Sequence, residues 1–148
     1  MTVFMLKIQK KFLAQIQQHG EKAFPEECVG VLLGRHEAEQ REVVSVLPLE
    51  NSAASKGTEF SVSLKELQRA EQSALLQNLD VIGFYHSHAN FKAAASQKDK
   101  SFAIPDFSYP IVSVFNGKAI DVKSFSYSSN TGSGDKKENF TEEVIVCL

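Results

Sequence analysis

The chain has 148 residues, a length that suits one domain, spanning 1–148, with a sizeable buried core. Hydrophobic residues make up 43% and charged residues 23%, as in ordinary globular proteins, and the formal net charge is −2. No block of lysine or arginine stands out, which argues against a nucleic-acid partner.

The cysteine content and the N-terminal segment indicate a cytoplasmic protein. Cys28 and Cys147 form neither a disulfide framework nor a CxxC pair, which suits a reducing compartment. The first twelve residues place their charges after a short apolar run, the reverse of a signal peptide. No apolar run approaches the ~20 residues that a membrane span requires, so no membrane partner is expected.

Patterning in the first half predicts one helix followed by strands. Apolar residues at helical spacing predict a helix over residues 8–24, which Pro25 must end. The run CVGVLLG over 28–34 is apolar throughout, as is typical of a strand covered on both faces. β-branched residues favour further strands over 41–49 and, more briefly, over 59–63.

A second helix and a second strand follow. Ser63 and Glu66 have the spacing of a capping box, in which each side chain bonds to the other residue's backbone N–H. The helix that they begin should fade near Asn78, and DVIGFYHSH over 80–88 should form the next strand.

The last third predicts a hairpin and a polar loop. Two strand-like segments, 109–115 and 118–125, flank Asn116-Gly117, a strong hairpin signal. Residues 126–139 are polar and predict a flexible loop, and 140–146 predict a last short strand. Helices alternating with strands predict a layered α/β (α+β) fold, and the hairpin makes its sheet mixed.

The segment HSHANFKAAASQKD, residues 86–99, holds two of the four histidines. On a strand, residues two apart share a face, so His86 and His88 should point the same way as Ile82 and Phe84. Two imidazoles above an apolar floor suit a divalent metal, most often zinc.

Asp99 is the natural third ligand, since the loop after His88 is long enough to turn back. Residues 96–104 can then form one or two helical turns, with Asp99 in the first turn. Two histidines and one carboxylate leave a fourth position open, as catalytic zinc sites do. The alternative is that Ser96 and Asp99 only cap a short helix, and the two roles are compatible.

A metal-activated water also needs a base, and the segment PEECVGVLLG offers two. Glu26 and Glu27 lie where a helix ends and a buried strand begins, which is an unusual place for a solvated charge. The alternative interpretation is a pair of exposed turn acids.

These residues together resemble the JAMM (MPN+) metalloproteases. The family signature is a glutamate in an E-x-x-G-x-x-x-G setting, then H-S/T-H, seven residues and S-x-x-D. Here Glu27 begins the first part, His86-Ser87-His88 form the second, and Ser96 and Asp99 form the third. Every signature position is filled, although Ala89 and Ala95 replace two residues that are often proline in the family.

The resemblance implies a three-layer fold, similar to that of cytidine deaminases, with a mixed sheet between helices. It implies that His86, His88 and Asp99 hold one catalytic Zn²⁺ and that Glu27 is the general base for the zinc-activated water. Ser96 would stabilise the oxyanion, and Ser87, on the opposite strand face, would have a supporting role.

The short length resembles the small prokaryotic members, which act on ubiquitin-like or sulfur-carrier proteins and cleave after a C-terminal Gly-Gly. The expected activity is therefore that of a zinc peptidase or isopeptidase. Two alternatives stay open: a non-catalytic interaction module of the same fold, and a nucleobase deaminase. The second is disfavoured because those enzymes need H-x-E and P-C-x-x-C, which this chain lacks. A homodimer is compatible with the sequence.

Overall fold

The computed structural model describes residues 4–37, 39–128 and 140–148. Helices and strands alternate along the chain, and their bounds are β1 Met5–Ile8, α1 Lys10–Ala23, β2 Val29–Glu37, β3 Gln40–Leu49, α2 Leu64–Leu76, β4 Asp80–Ala89, α3 Gln97–Phe102, β5 Tyr109–Phe115, β6 Lys118–Ser126 and β7 Thr141–Cys147. In this described part, no helix is long and apolar enough to cross a membrane.

The sheet is mixed and closes on itself in the order β1-β3-β2-β4-β5-β6-β7. The first strand pairs in parallel with both β3 and β7, which joins the two ends of the sheet. β4 and β5 are also parallel, whereas the other neighbours are antiparallel. The predicted mixed sheet is therefore confirmed. Its closure through β1 was not predicted from the sequence.

Strand β2 shows how the helices cover both faces of the sheet. Its alternate side chains fall into two separate clusters. Leu32 packs on one face with Ile16 of α1. Val31 packs on the other face with Ala70 of α2. The run CVGVLLG is apolar throughout because each face of the sheet has its own helix, which confirms the layered arrangement of helices and sheet.

Three local predictions about elements are wrong. The predicted first helix began too early, because residues 5–8 form β1 and the helix begins at Lys10. Residues 59–63 form no strand, since this segment leads into α2 as irregular chain. The capping box at α2 is only half present. Ser63 Oγ accepts from the N–H of Glu66, but the Glu66 carboxylate binds the N–H of Glu50 and the side chain of Arg69.

The predicted orientation of the Ile82 side chain is also wrong. The pairing of β4 with β2 shifts register between Leu32 and Leu33, so the strict alternation of side chains is interrupted there. Ile82 therefore packs in the cluster on the α1 side. Phe84 packs against the cluster on the α2 side. Of the two residues expected beneath the histidines, only Phe84 lies on the α2 side of the sheet.

The hairpin between β5 and β6 is confirmed. Asn116 has φ 50° and Gly117 has φ 84°, the left-handed conformations that a two-residue hairpin turn requires. The predicted last strand is also confirmed as β7. Most of the predicted loop over 126–139 lies outside the described residues, and Ser126 itself is the last residue of β6.

Candidate metal centre

His86 and His88 lie near the end of β4 and share one face of the strand. Their Nε2 atoms are 3.2 Å apart, and both residues are buried. The Nδ1 atom of His88 lies 2.9 Å from the carbonyl oxygen of Lys92. An N–H at Nδ1 can donate to this carbonyl, and Nε2 then faces His86 and Asp99.

Asp99 joins the two histidines from α3. Its Oδ1 lies 3.2 Å from His86 Nε2, and its Oδ2 lies 3.2 Å from His88 Nε2. A complete capping box fixes this carboxylate, because Ser96 Oγ accepts from the N–H of Asp99 and Asp99 Oδ2 accepts from the N–H of Ser96. The carboxylate that completes the capping box is thus the one that contacts both histidines.

Glu27 lies just before β2, the strand that pairs with β4, and comes close to both histidines. One ligand atom from each of Glu27, His86 and His88 lies within 4.8 Å of the others. The backbone of Glu27 is held on both sides, since its N–H donates to Lys56 and its carbonyl accepts from the Asn51 side chain. Glu26 is exposed, which leaves Glu27 as the carboxylate at the centre.

The pKa values of Glu27 and Asp99 are shifted in opposite directions, although burial opposes ionisation of both carboxyl groups. Removal from water raises the pKa of Glu27 to about 7, and the charge of Asp99 adds to this rise against the influence of His88 and Lys98. Burial also opposes ionisation of Asp99. There, hydrogen bonds from the rings of His86 and His88 outweigh it and hold the pKa of the carboxyl below its usual range. One acid can exchange a proton near neutral pH while the other stays charged.

Ser87 points away from the metal-binding face. Its Oγ accepts a hydrogen bond from the backbone N–H of Cys28, and a Cβ added to Gly20 of α1 would lie 3.3 Å from its Cβ. The residue between the histidines therefore touches the strand that follows Glu27 rather than the cluster.

The loop after β4, which follows Ala89 and contains Ala95 near its end, is anchored by contacts with β5 and with an apolar cluster. Asn90 donates its N–H to the carbonyl of Val114, and its Oδ1 accepts from the N–H of Asn116. Ala95 packs against an apolar cluster that includes Tyr109. These contacts hold the loop against β5 and its hairpin.

A cleft of about 310 Å³ opens beside the cluster and contains Glu27, His88, Ser96 and Asp99 among its lining residues. Sequence reasoning missed three aromatic residues that also line it, namely Phe60, Phe91 and Phe102. Phe91 lies within the segment HSHANF, so an aromatic residue beside a metal motif was the available signal. Phe60 and Phe102 carried none, because only tertiary packing brings them to the cleft.

These residues could together hold a divalent metal ion, because two imidazoles and a carboxylate converge, with a second carboxylate close by. Burial lowers the pKa of His86, which favours the neutral ring that ligation requires. The arrangement leaves one side of the cluster facing the cleft.

Comparison with known proteins identifies related domains. The family model described as prokaryotic homologs of the JAB domain matches residues 9–127. No curated protein matches the chain. Among solved structures, a solution structure from Desulfitobacterium hafniense is 29% identical, with a TM-score of 0.81, and the alignment covers 97% of this chain and 93% of that one. A second, from Salinibacter ruber, is 28% identical, with a TM-score of 0.71 and coverage of 96% and 91%.

Proposed function

The chain belongs to the prokaryotic homologs of the JAB domain, and from this premise we propose that it is a zinc-dependent peptidase or isopeptidase. Its substrates would be ubiquitin-like or sulfur-carrier proteins, cut after a C-terminal Gly-Gly. The observation that carries the proposal is the convergence of His86, His88 and Asp99 with a buried Glu27 at the wall of one cleft.

The separations within the cluster fit zinc. Ligand atoms bonded at about 2.0–2.1 Å around a tetrahedral zinc lie about 3.3 Å from one another. The two Nε2 atoms are 3.2 Å apart, and each is 3.2 Å from a different oxygen of Asp99, Oδ1 for His86 and Oδ2 for His88. His86, His88 and Asp99 would therefore hold the ion. When bound, zinc supplies Lewis-acid polarisation of the scissile carbonyl and makes the attacking water more acidic.

Glu27 is the general base in this proposal. Its buried carboxylate lies beside the two histidines, where it could take a proton from the attacking water and later deliver that proton to the leaving amine. Ser96 Oγ already accepts from the N–H of Asp99, so its own hydroxyl hydrogen can donate toward the oxygen of the substrate carbonyl. Both side chains line the cleft.

The end of β4 supports an extended substrate tail. Pairing with β2 reaches only His86, whereas His88 and Ala89 continue to pair with β5 on their other side. The backbone N–H and C=O of Ala89, which lie on the same side of β4 as those of Ser87, could therefore bind one more extended chain beside the two histidines. Glycines suit this position because they bring no side chain between the strand and the cluster.

Intact-mass analysis tests the proposal. Zinc-loaded protein is incubated with ubiquitin-like carriers that bear extra residues after Gly-Gly, and Glu27→Ala protein is the control. We expect the carrier mass to fall to that of the Gly-Gly end with the wild type only. An unchanged mass with zinc bound would contradict the peptidase proposal and favour a non-catalytic interaction module.

A further inference from the structure

Three phenylalanine rings lie around the metal cluster, and we call them the aromatic recess: Phe60, Phe91 and Phe102. The ring centroid of Phe60 is 4.5 Å from that of His86, and the ring of Phe91 is 5.6 Å from that of His88. Phe102 lies 6.4 Å from Phe60. All three rings line the same cleft as Glu27.

Two rings of the recess are exposed, although they lie beside buried histidines. Phe91 is 53% exposed and Phe102 is 56% exposed, whereas His86 and His88 are 2% and 5% exposed. Single exposed apolar side chains are common on protein surfaces. Phe91 and Phe102 line one cleft beside the histidines. Together they form an apolar surface that a ligand can cover.

Three of the four charged residues that line the cleft already contact other side chains. Lys98 forms an ion pair with Glu59, and Asp99 contacts both histidines. Glu27 is buried at the base of the cleft. Among the described residues that line the cleft, no further lysine, arginine or acidic side chain remains to select a charged substrate group.

The ion pair between Lys98 and Glu59 joins the two segments that carry Phe102 and Phe60. Glu59 lies in the segment that precedes α2, next to Phe60, whereas Lys98 lies on α3, the helix that ends at Phe102. The pair therefore connects the two walls that carry these rings, so the recess is already formed before a substrate enters.

We propose that the aromatic recess binds the side chain of the residue directly after the scissile bond, and that it selects a large apolar residue over a charged one. This inference rests on the proposed peptidase function and adds the chemical class of the leaving residue. A glycine on the acyl side of the cut has no side chain to offer, so the leaving residue is the one that can fill the recess.

The test compares carriers that end in Gly-Gly-X, where X is Phe, Leu, Gly, Asp or Lys. With zinc-loaded wild type, we expect kcat/KM for X = Phe to exceed that for X = Asp by about tenfold or more. Phe102→Ala should reduce the ratio of kcat/KM between X = Phe and X = Gly by about tenfold. Phe91→Ala provides a second variant. Phe115→Ala removes a 37% exposed ring outside the cleft and should leave this ratio unchanged.

A binding measurement separates the two proposals. Glu27→Ala protein is titrated with the same carriers, and fluorescence anisotropy reports affinity without cleavage. One outcome is that wild-type protein cuts no carrier while Glu27→Ala protein binds the Phe tail about tenfold more tightly than the Asp tail. In that case the peptidase proposal fails and the recess assignment stands. Equal affinities for the Phe and Asp tails would overturn the recess assignment, as would an equal loss for every X in Phe102→Ala.

Discussion

The hydroxyl oxygen of Ser87 accepts a 2.8 Å hydrogen bond from the backbone N–H of Cys28, and both residues are buried. Ser87 lies between His86 and His88, and Cys28 follows Glu27. This side-chain hydrogen bond acts together with the backbone bond from the N–H of Ser87 to the carbonyl of Cys28, and both hold the histidine pair beside the segment that carries the proposed base, Glu27.

Ser87→Ala tests this tether. The change leaves the N–H of Cys28 buried without its partner, so the free energy of unfolding should fall by about 1–3 kcal/mol. Zinc content should stay at one ion per chain, because Ser87 does not touch the cluster, while kcat should fall as Glu27 loses its fixed position. Urea denaturation and metal analysis measure the first two quantities. Unchanged stability and unchanged kcat would show that the hydrogen bond does not position Glu27.

Ser96→Ala separates capping from metal binding. It removes the side-chain acceptor for the N–H of Asp99, and we expect a stability loss of about 1 kcal/mol together with zinc affinity weakened about tenfold. Ser63→Ala is the matched control. Ser63 caps α2 in the same way, so the control should lose comparable stability without any change in zinc affinity. Equal zinc affinities in the two variants would contradict a role of the cap in holding Asp99.

Asp99→Asn should abolish the stabilisation of the protein by zinc. A metal bound only by the folded state raises the melting temperature, and its removal by a chelator reverses the effect. The wild type should therefore melt at a higher temperature with zinc than after chelation, and Asp99→Asn should melt at the same temperature in both conditions. Asp121→Asn alters an exposed aspartate on β6 and should behave like the wild type. A zinc-dependent melting temperature in Asp99→Asn would argue against Asp99 as a ligand.

Gly30→Ala should destabilise the fold. A Cβ at Gly30 would overlap the ring of Tyr85, which is buried and lies 2.7 Å through its hydroxyl from His19 Nδ1. The ring must move to relieve this overlap, so the free energy of unfolding should fall by about 1–3 kcal/mol. Gly57→Ala is the control, because its Cβ would come no closer than 3.7 Å, to the Pro25 oxygen. The melting temperatures of the two variants are compared. Equal melting temperatures would show that the ring of Tyr85 moves without a loss of stability.

Cys28 should resist alkylation in the folded protein. Burial raises the pKa of its thiol to about 11, so the reactive thiolate is scarce at pH 8 and a reagent cannot reach the sulfur. Cys147 is exposed, so iodoacetamide should add one group per chain, at Cys147. A second group should add after denaturation. Peptide mass mapping locates the adducts, and modification of native Cys28 at pH 8 would contradict the prediction.

Local rules in the sequence predicted most of the metal cluster's framework. Alternation along a strand places His86 and His88 on one face, and the S-x-x-D spacing predicts both the short helix and the position of Asp99 in its first turn. The Asn116-Gly117 hairpin followed from the same kind of short-range rule. These features depend on residues a few positions apart, and their geometry is set by backbone conformation.

Other features depended on the tertiary structure, because they join segments far apart in the chain. The register shift that turns Ile82 toward α1 arises from pairing with β2, and the closure of the sheet arises from the pairing of β1 with both β3 and β7. Residues 59–63 have strand-forming side chains but no strand partner, and Phe60 packs instead beside His86. The sequence by itself thus determined that the two histidines share a strand face and that Asp99 lies in the first turn of a helix, and it predicted that these residues hold a metal. Long-range pairing decided how Glu27 meets them and which aromatic rings form the cleft.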